Sequence, residues 1–419
     1  MFLSRFGVKN YKCLGDIDIP LTPVHVLIGQ NDSGKTSLME VIAALYGSLK
    51  WPVEELFPQP WQGRQLVCFG SQELAIELRG QWLPGPREKA FPNSNAYGFS
   101  LRFENSSQAC SIEQRWMNPQ GADLQGYENP NDRFPLTPDL PVRVQPFELP
   151  GYASKPKAIQ EVFQRQFEER RTQGLSRLTD FLKPVEKYLL NPRAMKMPAA
   201  LDPQRKFRLD PDGFGLATLL DDILSFDSGL FEKIKLEFCK YFPQFTGIRL
   251  NTEGGVSRDK GALGAYGVTE RAGKGIYLVS DGRDMSARQA SDGAILFLGI
   301  LALAHLPGPP PLLLIEEPEN GIYPKRLEDV VGLLKQLVQR TDGGPFPQII
   351  LSTHSPYVLS FFEPDQVTFL RRILPGKRDS PVRAWPLRDA PRIHERMGKE
   401  FNLGELWYNL NEEELFDEA

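Results

Sequence analysis

Apolar and polar positions alternate with different periods in successive parts of the chain. Over residues 65–116 apolar residues recur at every second position, which predicts antiparallel strands. Over residues 155–242 they recur every third or fourth position, which predicts helices. From residue 275 short apolar runs alternate with helical patterns, which predicts a mostly parallel sheet covered by helices. The pattern therefore predicts an α/β protein.

The predicted fold is a mixed sheet with helices on both faces, an antiparallel β annex and a helical insertion. Three parts are predicted: 1–150 with the annex, the insertion or lid over 151–250, and 251–419 with the remaining strands and helices. Among the predicted strands are QLVCF (65–69), GIYLV (275–279), LLLI (312–315) and QIILS (348–352). The predicted helices include LATLLDDIL, FEKIKLEFCKYF and an apolar helix from about Ala294, capped by Ser291 or Asp292.

Length and composition limit the classes of protein to which this chain can belong. A length of 419 residues with 41% apolar content is enough for one large or two moderate globular domains. The longest apolar run, residues 294–304, is too short to cross a bilayer, and the N-terminus has no apolar signal region, so we expect a soluble cytoplasmic protein without a membrane partner. Its four cysteines form no C-x-x-C pair, which argues against a zinc site and favours reduced thiols.

The charge is unevenly distributed although the net charge is only −4. Between Lys155 and Arg208 there are thirteen Lys or Arg against six Asp or Glu, a surplus of seven positive charges. Such a stretch fits either a solvated helical face or a surface that binds a polyanion such as duplex DNA. The candidate DNA contacts are Lys155, Lys157, Arg165, Arg170, Arg171, Arg177, Lys183 and Lys187.

The most specific motif is Gly29 to Thr36, GQNDSGKT, which fits the phosphate-loop pattern G-x-x-x-x-G-K-[ST]. An apolar strand pattern precedes it and a helical pattern follows. Glycines let successive backbone N–H groups turn towards phosphate oxygens, and the helix N-terminus faces the same anion. Lys35 supplies a charge for the outer phosphates, and the Thr36 hydroxyl is suited to hold Mg²⁺.

Two later strands end in groups suited to phosphate chemistry. The run Leu312 to Ile315 stops at Glu316 and Glu317, and acids at the carboxyl end of a buried strand lie where open α/β sheets bind ligands. Glu316 is suited to bind Mg²⁺, directly or through water, and Glu317 to orient and deprotonate a water. His354 follows the other strand, QIILS, in the same position, so it is a candidate for a hydrogen bond to phosphate or water.

A third stretch, Ser286 to Gly293, precedes the apolar helix. Ser291 with Gly293 two residues later forms a second potential anion site at a helix N-terminus, although Ser-Asp-Gly is also an ordinary cap sequence.

This chain resembles ATP-binding-cassette ATPases in the order of its motifs. They are the phosphate loop, the Ser-x-Gly turn (Ser291 to Gly293), the acidic pair (Glu316 and Glu317) and the histidine after a strand (His354). Lys35 and Ser291 are 256 positions apart. This long separation is similar to that in the split heads of the RecF, SMC and OLD class of DNA-associated ATPases. The phrases ASDGAILFLGILALA, LLLIEEPENGIYP and LSTHSPYVL, with the closing NLGELW, are similar to OLD-like "AAA family" ATPases of genome-maintenance and phage-defence systems. The resemblance covers residues 1–46 and 275–410 well and the middle only loosely.

The resemblance implies an ATPase that uses ATP and Mg²⁺ and in which two heads of a homodimer enclose two ATP molecules. It assigns catalysis to Lys35, Glu317 and His354, the metal to Thr36 and Glu316, and the nucleotide to Gly29, Asn31, Ser33, Gly34, Lys35, Thr36, Ser37, Ser291 and Gly293, the last two acting across the dimer. Asp292 departs from the usual Ser-Gly-Gly and would place a negative charge near the partner's phosphates. The glutamine loop stays open between Gln72 and Gln81.

OLD enzymes carry a C-terminal Toprim nuclease domain, and the 65 residues after His354 leave no room for one. We therefore expect an ATP-driven switch that controls a separately encoded effector, such as a nuclease, in DNA-related or anti-phage processes. Two alternatives stay open: the ATPase subunit of a transporter, and a nucleotide-gated scaffold or sensor with little turnover.

Overall fold

A computed structural model describes most of the elements that the pattern predicts. The described segments of five residues or more are 1–48, 63–69, 75–83, 97–106, 109–117, 181–203, 206–260, 266–339, 347–374, 380–390 and 401–409, with shorter pieces between them.

Seventeen strands are described. They are β1 (Phe2–Tyr11), β2 (Leu14–Pro20), β3 (Val24–Ile28), β4 (Ala75–Leu83), β5 (Tyr97–Ser106), β6 (Ala109–Met117), β7 (Asp123–Leu124), β8 (Glu128–Asn129), β9 (Lys187–Tyr188), β10 (Ala199–Ala200), β11 (Gly247–Lys260), β12 (Tyr266–Ser280), β13 (Arg283–Ser286), β14 (Leu312–Glu316), β15 (Gln348–Thr353), β16 (Val367–Arg372) and β17 (Val382–Pro386).

The α-helices of the described part are α1 (Lys35–Gly47), α2 (Pro192–Met195), α3 (Leu216–Phe226), α4 (Ser228–Tyr241), α5 (Asp292–Ala304), α6 (Leu327–Gln339), α7 (Pro356–Leu359) and α8 (Leu403–Asn409). Every residue of α5 from Ala294 to Ala304 is buried, as its uninterrupted apolar sequence requires.

The chain forms two compact units, the first made of Met1–Val185 and Pro364–His394. Its strands follow the order β7-β6-β5-β4-β1-β2-β17-β16-β3, with β8 beside β6. Strands β4, β5 and β6 pair antiparallel with their neighbours, whereas β16 pairs parallel to β3. The mixed sheet and its antiparallel annex confirm the predicted α/β class.

The second unit consists of Glu186–Glu363 and Glu395–Ala419. Strand β14 lies between β15 and β9 and is parallel to both. A separate sheet has the order β10-β11-β12-β13, in which β11 and β12 form a long antiparallel hairpin. Helices α3 and α4 confirm the two helices predicted before residue 242, and residues 151–180 of the predicted insertion lie outside the described part.

The β structure differs from the prediction in two places. The QLVCF segment is not a strand, because its start lies in a 3-10 turn (Gly63–Leu66) and only Val67 forms a single bridge, to Tyr11. The predicted strand GIYLV is confirmed within β12, but strand structure begins earlier than the pattern indicates, because β11 starts at Gly247 and passes straight through Gly254 and Gly255. In the described part of the chain, none of the helices combines the length and the hydropathy that a bilayer crossing needs.

His25 is a fully buried polar residue in β3 of the first unit. Its Nε2 lies 2.9 Å from Thr368 Oγ1 and its Nδ1 lies 3.2 Å from Thr22 Oγ1. Burial lowers the pKa of His25 to about 3, so the folded protein keeps the ring neutral at pH values where the unfolded chain binds a proton.

We expect the stability to fall as the pH drops below 6.5, by about 2 kcal/mol at pH 5 from this group alone. Chemical unfolding at pH 7 and pH 5 measures the difference. His25→Gln should flatten the pH dependence by that amount. Equal slopes for wild type and His25→Gln would contradict the assignment.

Candidate functional site

The phosphate-loop residues lie between β3 and α1 of the first unit. Gly29 has φ of 151° and Gly34 has φ of 88°, and both conformations favour glycine. A Cβ on Gly29 would collide with the Leu370 carbonyl, and a Cβ on Gly34 would lie 2.9 Å from Leu14 Cδ2. The backbone conformation therefore favours glycine at both positions, and at Gly29 the Leu370 backbone also leaves no room for a Cβ.

Lys35 and Ser33 point their polar atoms into the loop. The Lys35 ammonium is nearly buried and donates to the carbonyls of Gly29 at 2.7 Å and Gln30 at 2.9 Å. The buried Ser33 hydroxyl has no hydrogen-bond partner in the described residues. Asn31 and Thr36 are exposed, and Ser37 is half-buried. The loop thus combines the Lys35 ammonium fixed by two carbonyls, a Ser33 hydroxyl without a hydrogen-bond partner in the described residues and an accessible Thr36 hydroxyl. These groups fit a phosphate and its metal ion.

The acidic pair and His354 come together in the second unit. Strands β14 and β15 are parallel neighbours, with Glu316 opposite Ser352, so the residues that follow them meet at the carboxyl edge. Glu317 Oε1 lies 3.3 Å from His354 Nδ1. Both side chains are partly exposed. A carboxylate that can accept a proton from water therefore lies beside a ring that can donate one.

Glu316 differs from Glu317 in its surroundings. Its side chain is nearly buried; Oε2 lies 3.2 Å from the Lys187 ammonium and Oε1 has no hydrogen-bond partner in the described residues. Lys187 reaches it from β9, which pairs with β14 at Leu314. Lys187, a candidate DNA contact, is therefore placed against Glu316.

The sequence interpretation missed two residues of this cluster. Asn320 Nδ2 donates to Glu317 Oε2 at 2.6 Å. Glu319 Oε1 accepts hydrogen bonds from Thr353 Oγ1 at 2.5 Å and from the His354 backbone N–H at 3.4 Å. Burial raises the pKa of Glu319, and the hydrogen bond from Thr353 opposes that rise. The run EEPEN contained both residues, but only the pairing of β14 with β15 brings Glu319 to Thr353.

Ser291 caps α5 in the same unit, and its hydroxyl accepts a hydrogen bond from the Ala294 N–H at 3.3 Å. The structure therefore selects Ser291 over Asp292 as the cap. The side chain of Asp292 lies 2.5 Å from the ammonium of Lys196, which also donates to the Ala290 carbonyl at 2.7 Å. Lys196 offsets the negative charge that Asp292 adds near Gly293.

Three groups of predicted site residues are thus each assembled: the phosphate loop, the Glu316–Glu317–His354 cluster and the Ser291–Gly293 turn. Six of the eight candidate DNA contacts, from Lys155 to Arg177, lie outside the described residues, and DNA binding stays a prediction. Gln72 also lies outside them, while Gln81 is in β4.

The residue types fit a magnesium ion delivered with a nucleotide. Mg²⁺ is commonly bound by one or two oxygen side chains together with substrate phosphates, rather than by a cage of protein ligands. Thr36 in the first unit is a side chain of this kind, and so, separately, is Glu316 in the second unit. In the described part of the chain no group of three His, Cys, Asp or Glu residues is placed to bind a metal by itself.

The fold and the phosphate-loop motif agree with the class that the family match shows, an AAA/ABC-type ATPase. The chain belongs to the family described as "AAA domain, putative AbiEii toxin, Type IV TA system", whose model matches residues 24–360.

One relative supports the OLD-like character that the sequence predicts. The OLD nuclease of Thermus scotoductus is 31% identical over 111 residues, which are 26% of this chain and 20% of that protein. The chain thus spans about one fifth of the length of that relative.

Solved structures that are similar to this chain include heads of SMC proteins. An SmcHead bound to the C-winged helix domain of ScpA has 12% identity and a TM-score of 0.49, covering 93% of this chain and 99% of that one. The SMC head domain from Thermotoga maritima has 15% identity and a TM-score of 0.38, covering 92% and 99%.

Proposed function

We propose that this protein hydrolyses ATP with Mg²⁺ and uses the nucleotide cycle to open and close a homodimer. The observation that carries the proposal is the 3.3 Å contact between Glu317 and His354 at the end of two parallel strands. Hydrolysis by a phosphate-loop protein uses a residue that deprotonates or positions the attacking water, and a carboxylate beside a histidine is suited to that role.

Each group has a role that follows from its chemistry. Lys35 and the N–H groups of Gly29 to Ser37 hold the phosphates, and Thr36 and Glu316 hold Mg²⁺, which neutralises phosphate charge when bound. Glu317 accepts a proton from the attacking water. His354 orients that water or donates to the phosphate.

Dimer formation is proposed from the second anion site. Ser291 and Gly293 open a thirteen-residue helix, α5, whose N-terminus favours an anion. Asp292 would repel that anion, and the Lys196 ammonium, 2.5 Å from its carboxylate, offsets the repulsion. We propose that this turn binds the ATP held by the phosphate loop of a second copy, so that ATP joins the two copies.

ATP should therefore raise the dimer fraction of the Glu317→Gln variant, in which slow hydrolysis preserves the bound state, and ADP should not. Sedimentation velocity with each nucleotide measures this. Lys35→Ala should abolish the ATP effect because the phosphates lose their buried cation.

A matched pair of variants tests the role of the Ser291–Gly293 turn in forming the dimer. Lys196→Met, which leaves Asp292 unpaired, should weaken the ATP-driven dimer several-fold, while Lys233→Met at an exposed site on α4 should not. A dimer fraction that ATP leaves unchanged in Glu317→Gln would exclude the switch.

We propose further that the closed dimer acts on a separate effector protein, such as a nuclease, in DNA-related or anti-phage defence processes. The support is the likeness to an OLD nuclease over one fifth of that protein's length. Immobilised Glu317→Gln protein should retain the effector from its host's lysate with ATP and release it with ADP. Identical retention in both nucleotides would refute the proposal.

A further inference from the structure

The loop between β14 and α6 begins in a strained conformation. Glu317 has a φ of 45°, in the left-handed region that few residues other than glycine adopt. Its backbone N–H donates to the Ser352 carbonyl at 2.9 Å, and its own carbonyl accepts from Asn320 N at 3.0 Å. Strain of this kind persists only where the surrounding structure enforces it. Contacts of the residues that follow Glu317 must therefore stabilise its left-handed conformation.

Glu319 fastens this loop to the segment that carries His354. One carboxyl oxygen, Oε1, accepts from the Thr353 hydroxyl and from the His354 backbone N–H. The Thr353 hydroxyl oxygen in turn accepts from the Ser355 N–H at 3.0 Å. The last residue of β15 and the two residues that follow it, Thr353 to Ser355, are thus tied, directly or through one hydroxyl, to a single side chain located two residues after Glu317.

We propose that Glu319 is a positioning residue that sets the distance between the Glu317 carboxylate and the His354 ring, an inference that rests on the proposed hydrolysis at that pair. Glu319 acts on the backbone of His354 and on the turn that displays Glu317, so it fixes both partners of the 3.3 Å contact. An error of about 1 Å in such a contact is enough to lower a rate 10²-fold.

The role requires an acceptor atom and not a negative charge. Both bonds use Oε1, while the other oxygen, Oε2, is buried and has no hydrogen-bond partner in the described residues. Glutamine keeps the Oε1 acceptor at nearly the same place and removes the charge. This separates positioning from electrostatic catalysis, because only a positioning role predicts that glutamine restores activity.

The test is steady-state ATP hydrolysis by matched pairs of variants. Glu319→Ala should lower kcat at least about tenfold with a change in KM below about threefold, and Glu319→Gln should stay within about threefold of wild type at every pH from 6 to 8. Glu328→Ala, which removes an exposed carboxylate from the first turn of α6, should behave as wild type.

If Glu319→Ala fails to fold, a second pair of variants, at Thr353, tests the same positioning role. Thr353→Val keeps the shape of the buried side chain but removes the donor, so it should lower kcat; Thr353→Ser keeps the donor and should restore most of it. Equal losses in Glu319→Gln and Glu319→Ala would overturn the inference, as would wild-type kcat in both Glu319→Ala and Thr353→Val.

Glu317→Gln, measured in the same assay, separates the two proposals. If it hydrolyses ATP like wild type, the proposed function is wrong. If it is inactive while Glu319→Ala and Thr353→Val retain full kcat, only the positioning role is wrong.

Discussion

Glu317→Gln should lower the rate of ATP hydrolysis by about 10²- to 10⁴-fold, the usual contribution of a general base. The substitution keeps the size of the side chain and its hydrogen bond with Asn320 remains possible, so the left-handed turn should persist. What is lost is the proton acceptor 3.3 Å from His354. ATP affinity should change by less than about threefold, because phosphate binding is assigned to the loop around Lys35.

The measurements are steady-state phosphate release and equilibrium binding of a fluorescent ATP analogue. Glu328→Gln, an exposed position on α6, is the matched control and should hydrolyse ATP at the wild-type rate. If Glu317→Gln releases phosphate as fast as wild type, the base lies elsewhere and the assignment of the acidic pair is wrong.

Gly29→Ala should abolish ATP binding, with an affinity loss of at least about a hundredfold. A Cβ at residue 29 would collide with the Leu370 backbone and lie 2.6 Å from Ser33 Oγ, in a backbone conformation that disfavours alanine. The loop must then move, and the N–H groups and the carbonyls that hold Lys35 move with it.

Gly282→Ala is the control that separates the effect of steric crowding from the effect of backbone strain. Gly282 also has a positive φ, 75°, but a Cβ there would meet nothing within 4 Å. Gly282→Ala should therefore cost only the strain, about 1 kcal/mol of stability, and leave ATP binding unchanged. Titration with the ATP analogue and thermal unfolding measure both variants. Wild-type affinity in Gly29→Ala would show that the loop does not bind the phosphates.

Local patterns predict the elements that bear the candidate site, because each is a short apolar strand followed by a polar motif. The phosphate loop stands between β3 and α1 as its glycines and helical pattern indicate. Glu317 and His354 follow parallel neighbouring strands, which the alternation of strands and helices already favours.

Contacts made across the fold were not predictable in this way. Lys187 lies 129 residues before Glu316 and Lys196 lies 96 residues before Asp292, so their pairing depends on where β9 and α2 pack. The glycines at 254 and 255 resemble a break, yet β11 passes through them. A Cβ on Gly255 would lie 2.7 Å from the Ala199 backbone, so this glycine admits β10 rather than ending a strand.

The central claim is that this chain is a Mg²⁺-dependent ATPase whose phosphate loop and acidic pair serve one reaction. The most direct measurement is multiple-turnover phosphate release by purified wild-type protein and Lys35→Ala, each with and without Mg²⁺. We predict sustained release from the wild type only with Mg²⁺, and none above background from Lys35→Ala. Wild-type release equal to that of Lys35→Ala would contradict the claim and favour a scaffold or sensor that binds ATP without turnover.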